Sequence, residues 1–275
     1  MRWCRLLTES RLGFQLGGSS QGFCYVRPRS RWLTHAESVR QIASLGLGVE
    51  VWFNRAEGDT EPDRVTLAKM RASMQESPFV SVHSRSALWA WDPDGLRREI
   101  LLSRMIGACT LVLHRGSLGL VDLTSRADFP QIHRLAQEAR EAGILLALEN
   151  GRDDAWALDR VLEEIGGDPE ETNLGVCIDV GHAHLWSAVA GEKPIRSYLK
   201  RYAGALVHLH LHDNVGLDDE HRVPGDGTAD WPDTQAALDE IGFAGTATLE
   251  LLTEGDLPEG FLRARAFLES LRASA

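Results

Sequence analysis

Residues 207–213 read Val-His-Leu-His-Leu-His-Asp, three imidazoles spaced two apart in an otherwise apolar run. Side chains alternate in direction along a strand. The spacing therefore predicts a strand with His208, His210 and His212 on one face and Val207, Leu209 and Leu211 on the other. Imidazole is expensive to bury unless something pairs with it. Five further apolar runs end on a residue that binds divalent metals: FVSVH at His83, TLVLH at His114, LLALE at Glu149, GVCID at Asp179 and TATLE at Glu250. One such residue at a strand end is commonly a satisfied core or surface group. Six in register imply one polar site at the ends of parallel strands, which is how an α/β fold of the (β/α)8 TIM-barrel type makes an active site.

Working outward, eight strands are predicted at Leu12–Leu16, Gly48–Phe53, Phe79–His83, Thr110–His114, Ile144–Glu149, Gly175–Asp179, Ala205–His212 and Thr246–Leu251. Several are nearly continuous apolar runs, as expected of parallel strands covered on both faces. The segments between them carry helix punctuation. Thr34-His-Ala-Glu37 is a capping-box pattern, Asp92-Pro93 opens a helix running to Gly107, and FPQIHRLAQEAREAG and TQAALDEIG stop at Gly143 and Gly242. No Pro/Gly/Ser-rich linker interrupts the chain, so a single domain over 1–275 is expected, with 1–11 a peripheral or poorly ordered extension.

A chain of 275 residues with 43% hydrophobic and 25% charged residues suits one such barrel and its core. The net charge of −11 gives no overall basic footprint for nucleic acid. Cys4, Cys24, Cys109 and Cys177 form no CxxC pair, and predict reduced thiols rather than a disulfide framework. The opening MRWCRLLTESR lacks the apolar core of a signal peptide, and no run approaches a membrane span. Cytoplasmic location without a membrane partner is the expectation; homo-oligomers are left open.

The same parity places small residues beneath the ligands: Ser81 under His83, Ala147 under Glu149, Cys177 under Asp179 and Thr248 under Glu250. A mixed carboxylate and imidazole set suits zinc, manganese or related ions. His182 follows Asp179 by three residues in DVGH, and Asp219-Glu-His221 offers another acid and imidazole ahead of PGDG. Trp52, Trp89, Trp91, Trp186 and Trp231 fall near strand ends, where an aromatic ring can wall a pocket for a sugar face.

LALEN, GVCIDVGHAH, HLHDN, DEHRVPGDG and the final TLEL together resemble the xylose-isomerase-like TIM-barrel superfamily, which includes sugar isomerases, epimerases and endonuclease IV. The resemblance covers most of Leu12–Leu252. It implies a sugar or related polyhydroxy carbonyl substrate in carbohydrate metabolism and one Zn, Mn, Mg or Co ion. The implied ligands are Glu149, Asp179, His210 and Glu250, with His212 a competitor for the strand-seven place. Glu149 and Glu250 would double as acid and base, and His182 would contact a substrate oxygen. Trp52, Trp89, Arg115 and Trp186 are the candidate substrate-binding residues.

Two departures keep a second activity in view. The Arg that ketose epimerases commonly carry after the strand-seven histidine is missing from HDNVGLDDEH. The chain also has every ligand type of the endonuclease IV trinuclear zinc site. By that resemblance His83, His114 and Glu149 would hold one ion, Glu149, Asp179, His210 and Glu250 a second, and His182, Asp219 and His221 a third. This implies a phosphoester hydrolase with two or three zinc ions. The opening LGFQLGGSSQGF does not match endonuclease IV, so nucleic acid is the lesser expectation beside a small-molecule substrate.

Overall fold

A computed structural model describes residues 10–25, 32–53, 61–85, 91–152, 155–190, 194–253 and 255–273, with side chains for all of these except 25, 186–190 and 194. Its strands are β1 (Gln15–Ser19), β2 (Gly48–Trp52), β3 (Val80–His83), β4 (Thr110–His114), β5 (Leu145–Glu149), β6 (Leu174–Asp179), β7 (Leu206–Leu211) and β8 (Thr246–Leu249). Each pairs in parallel with the next, and β8 pairs with β1, closing a barrel. The fold is a single (β/α)8 TIM barrel with helices between its strands. Among the described residues no helix is long and apolar enough to cross a membrane.

Seven strands lie within two residues of their predicted bounds; β1 starts three residues later than predicted. Leu12 and Phe14 are buried in the outer core, and the pairing falls on the glycines that follow. The reason is close approach. A Cβ on Gly17 would lie 2.6 Å from Phe79 Cζ, and one on Gly48 would lie 2.3 Å from Phe79 Cε1. The Phe79 ring thus occupies the space two side chains would need, with its edge toward His208 at 6.0 Å.

The helices form where their caps announce them. Thr34 caps His35–Ser44 in a reciprocal box with Glu37, and Asp92 caps Pro93–Ile106, which ends on left-handed Gly107. Asp128 caps Phe129–Ala142, which ends on left-handed Gly143, and Asp230 caps Trp231–Glu240. Their apolar faces meet the outer faces of the strands in one cluster that includes Val82, Leu111, Leu148, Ile178, Leu209 and Leu249. A separate small cluster of Val112, Ala147 and Cys177 lies in the lumen.

The parity expected of β7 needs one correction. Leu209 and Leu211 join the outer core, but Val207 packs on the lumen cluster with Cys177. The register between β6 and β7 shifts at Val176/Cys177, pairing Val176 with Leu206 and Cys177 with His208, so Val207 is the extra residue of a bulge. The cysteine expectation is also corrected at one position. Cys24 and Cys177 are free and buried, whereas Cys109 is disulfide-bonded. A disulfide depends on proximity in space, which linear spacing does not reveal.

Candidate metal centre

Register fixes which strand ends meet: His114 pairs beside Glu149, Asp179 beside His210, and His210 beside Thr248. At the centre is His210, fully buried, with Nδ1 3.0 Å from Glu149 Oε1, 3.6 Å from Glu250 Oε2 and 3.9 Å from Asp179 Oδ2. Glu149 turns its other oxygen to a second group, with Oε2 3.3 Å from His83 Nε2 and 3.4 Å from His114 Nε2. A third group gathers on Asp219, whose Oδ2 is 3.1 Å from His182 Nε2 and 3.3 Å from His221 Nε2. His212 joins the groups, its Nε2 3.0 Å from Asp179 Oδ1 and 3.7 Å from Asp219 Oδ1. All ten residues singled out in the sequence as metal ligands or their competitors converge. His210 and His212 both enter the cluster, the first toward the two glutamates and the second between the two aspartates.

Neighbouring residues hold this arrangement. Asn150 Oδ1 accepts the Asp179 amide at 2.7 Å, while its amide nitrogen donates to the Asp179 carbonyl at 3.2 Å. Asp179 Oδ1 in turn accepts the His182 amide at 2.7 Å, fixing the start of the helix Val180–Ala190. Gly181 leaves room for the His212 ring, since a Cβ there would lie 1.9 Å from His212 Cε1. Trp52 stacks on His83 with ring centroids 4.2 Å apart, and His221 stacks on His212 at 4.0 Å.

The loop carrying Asp219 and His221 hangs on buried Asp213. That carboxylate accepts Gly225 N at 2.9 Å, Ala229 N at 3.2 Å and Trp231 Nε1 at 2.7 Å. The glycines of PGDG serve that turn: a Cβ on Gly227 would lie 2.2 Å from Asp213 Oδ1.

Burial raises carboxyls and lowers imidazoles, and each residue here reports the balance with its neighbours. For Glu149, burial is outweighed by His114 and His210, which hold the carboxyl well below the usual range. For Glu250, burial prevails over His210 and His83 and pushes the carboxyl up. Burial takes His114 down to about 4, against the pull of Glu149. His221 is also pushed down by burial, yet Asp219 lifts it to about 9.

Among the described residues, Glu149, Asp179, Asp219 and Glu250 have ion pairs only with imidazoles. Among the described residues, His212 Nδ1, Asp219 Oδ1 and Glu250 Oε1 are buried without a hydrogen-bond partner. His83–His114–Glu149, His83–His210–Glu250, Asp179–His182–His212 and His212–Asp219–His221 each present ligand atoms within 4.8 Å of one another. Acid and imidazole donors, buried together with open valences, fit a divalent cation.

The candidate substrate residues divide. Trp52 is tied up against His83. Arg115 donates from Nη1 to the carbonyls of Leu120 and Val121, and lies 5.5 Å over the Trp156 ring. Trp89 and the side chain of Trp186 lie outside the described residues. Sequence reasoning missed Glu50, whose side chain is fully buried in the lumen beneath His210. The sequence marks it only as a lone Glu inside the apolar run GVEVW, two residues before Trp52.

The chain belongs to the xylose isomerase-like TIM barrel family, whose model matches residues 39–271. It is similar to fructoselysine 3-epimerase of Shigella flexneri, 35% identical over 131 residues, 42% of this chain and 46% of that enzyme. It shares the fold of L-ribulose 3-epimerase, with a TM-score of 0.69 and 17% identity over 95% of this chain and 96% of that one. A Thermus thermophilus protein solved after soaking with ZnCl2 has a TM-score of 0.64 and 25% identity, over 96% and 99% of the two chains. The chain spans less than half the length of several curated relatives it matches, at 42%, 45% and 46%.

Proposed function

We propose that this protein is a divalent-metal-dependent isomerase or epimerase of a sugar or related polyhydroxy carbonyl compound. One observation carries the reading: at the barrel mouth, two glutamates and an aspartate surround Nδ1 of a single histidine, at 3.0, 3.6 and 3.9 Å. Glu149, Asp179, His210 and Glu250 would hold the ion, which when bound supplies Lewis-acid polarisation of the carbonyl and adjacent hydroxyl.

The chain's own residues would do the rest. A C–H beside a carbonyl gives up its proton only to a base placed at it. Glu149, kept ionised by its imidazole neighbours, is suited to accept that proton. Glu250, its carboxyl raised by burial, is suited to deliver one from a different strand. Carboxyls whose surroundings push them apart in this way divide the base and acid roles. His182 stands at the same mouth, 13% exposed at its side chain, within reach of a substrate hydroxyl. The partial likeness to fructoselysine 3-epimerase supports a sugar derivative as substrate.

The test is solvent exchange. Zinc-, manganese- or cobalt-loaded protein in deuterated buffer should place deuterium on a carbon of at least one member of a broad ketose and aldose panel. Glu149→Gln should slow that exchange by about 10²-fold or more. No exchange with any sugar overturns the assignment.

A second reading rests on the other two groups, His83–His114–Glu149 and His182–Asp219–His221, which lie beside the first. Together they suit a phosphoester hydrolase with two or three zinc ions, since clustered ions generate a hydroxide and stabilise the charge of the transition state. Elemental analysis of protein purified in zinc-replete medium decides between them. Three ions per chain would favour hydrolysis; one would exclude the trinuclear form.

A further inference from the structure

We propose that Glu50 is a positioning residue for His210, holding the far nitrogen of its ring so that Nδ1 is the atom presented to Glu149, Asp179 and Glu250. The proposal rests on His210 being a metal ligand, as in the function proposed above. Glu50 lies on β2 and reaches across the lumen to β7, fully buried. Its Oε2 accepts from Ser81 Oγ at 2.9 Å and contacts His208 Nε2 at 3.2 Å. Its Oε1 sits 3.2 Å from His210 Nε2.

Glu50 Oε1 and His210 Nε2 are an ion pair at 3.2 Å without hydrogen-bond alignment, and among the described residues neither atom has a hydrogen-bond partner. Proton count makes the link specific. A neutral imidazole that offers the Nδ1 lone pair must carry its proton on Nε2. Buried in the lumen, that N–H needs an acceptor, and Glu50 Oε1 lies 3.2 Å away. A metal-bound histidine commonly donates its second N–H to a carboxylate in this way, which fixes the tautomer and strengthens the ligand.

His208 completes the support from below. Its Nδ1 is 2.6 Å from Thr246 Oγ1, and its Nε2 is shared between Glu50 Oε2 and Thr248 Oγ1 at 3.2 and 3.1 Å. The Glu50 carboxylate is thereby pinned on one oxygen and free to meet His210 with the other. The competing partner for His210 Nε2 is the buried thiol of Cys177, which belongs to a common group with His208 and His210. Three variants separate these roles.

Zinc affinity is measured by chelator competition on the full chain for wild type, Glu50→Gln, Cys177→Ala and His210→Asn. Glu50→Gln should weaken zinc binding by about 10–100-fold, with the circular dichroism spectrum of the folded protein retained. Cys177→Ala should stay near wild type. Nitrogen-15 spectra of zinc-loaded wild type should show His210 holding the ion through Nδ1 with its proton on Nε2, a readout independent of whether any variant folds.

A Glu50→Gln affinity equal to wild type, alongside a His210→Asn variant that loses the ion, overturns the positioning role alone. So does a Cys177→Ala variant that reproduces the loss, or a zinc-loaded protein in which His210 keeps its proton on Nδ1. If His210→Asn binds zinc like wild type, the ligand assignment itself falls and takes this inference with it.

Discussion

At His221 the backbone as well as the side chain is committed to the site. Its φ of 49° lies in the left-handed region, uncommon outside glycine. Its Nε2 meets Asp219, and its Nδ1 is 3.0 Å from the Glu250 carbonyl. The consequence in metal-free protein is a pH dependence whose sign follows from linkage. Burial lowers the imidazole, but Asp219 and Glu250 lift it from 6.5 to about 9. A raised pKa contributes stability that is fully present below 6.5 and is lost as pH rises through about 9. His182 and His210 are also raised well above the usual value and act in the same direction. The urea midpoint of chelator-treated protein should therefore fall from pH 6.5 to pH 9, measured by circular dichroism. His221→Asn should flatten part of that slope, and a midpoint that rises with pH would contradict the charge balance. The residues that gather at the mouth were themselves legible in the sequence, because acids and imidazoles closing apolar runs have few other reasons to be there. Glu50 was not, because a lone Glu inside a strand looks the same whether it faces solvent, a helix or the lumen.

At the scale of elements, the segment after β7 shows how a loop is anchored so that Asp219 and His221 reach the mouth. Asp213 gathers the backbone amides of Asn214, Gly225 and Ala229 and an indole N–H, drawing 213–231 together. Removing that acceptor strands buried donors, each of which costs about 1–3 kcal/mol. Asp213→Ala should lower unfolding free energy by about 3 kcal/mol or more. It should also lower bound zinc by releasing Asp219 and His221, read by denaturant titration and metal analysis on the same preparation. Undiminished zinc in the variant would show that the loop holds its shape without the anchor. Two helix starts were readable from single caps, since Thr34 and Asp92 act through local geometry. The bulge at Val207 was not, since it arises from how β6 and β7 share register.

For the whole molecule, closure of the barrel converts a periodic sequence into a single site. His83 and His114 reach Glu149 from β3 and β4, and Asp219 meets His182 and His221 over the mouth. The residues beneath the cluster are small or polar, which leaves the lumen able to hold Glu50 and His208 under it. What the sequence by itself determined was the alternation of strands and helices and the chemistry at the strand ends. Hydrophobic period, caps and ligand type are all properties of short segments. What only the tertiary structure decided was the start of β1, the inward turn of Val207, the disulfide at Cys109, the separate places of His210 and His212, and the contact of Glu50 across the lumen. Each depends on which atoms from distant segments arrive within a few ångströms of each other, and that is settled by packing and register when the eight strands close.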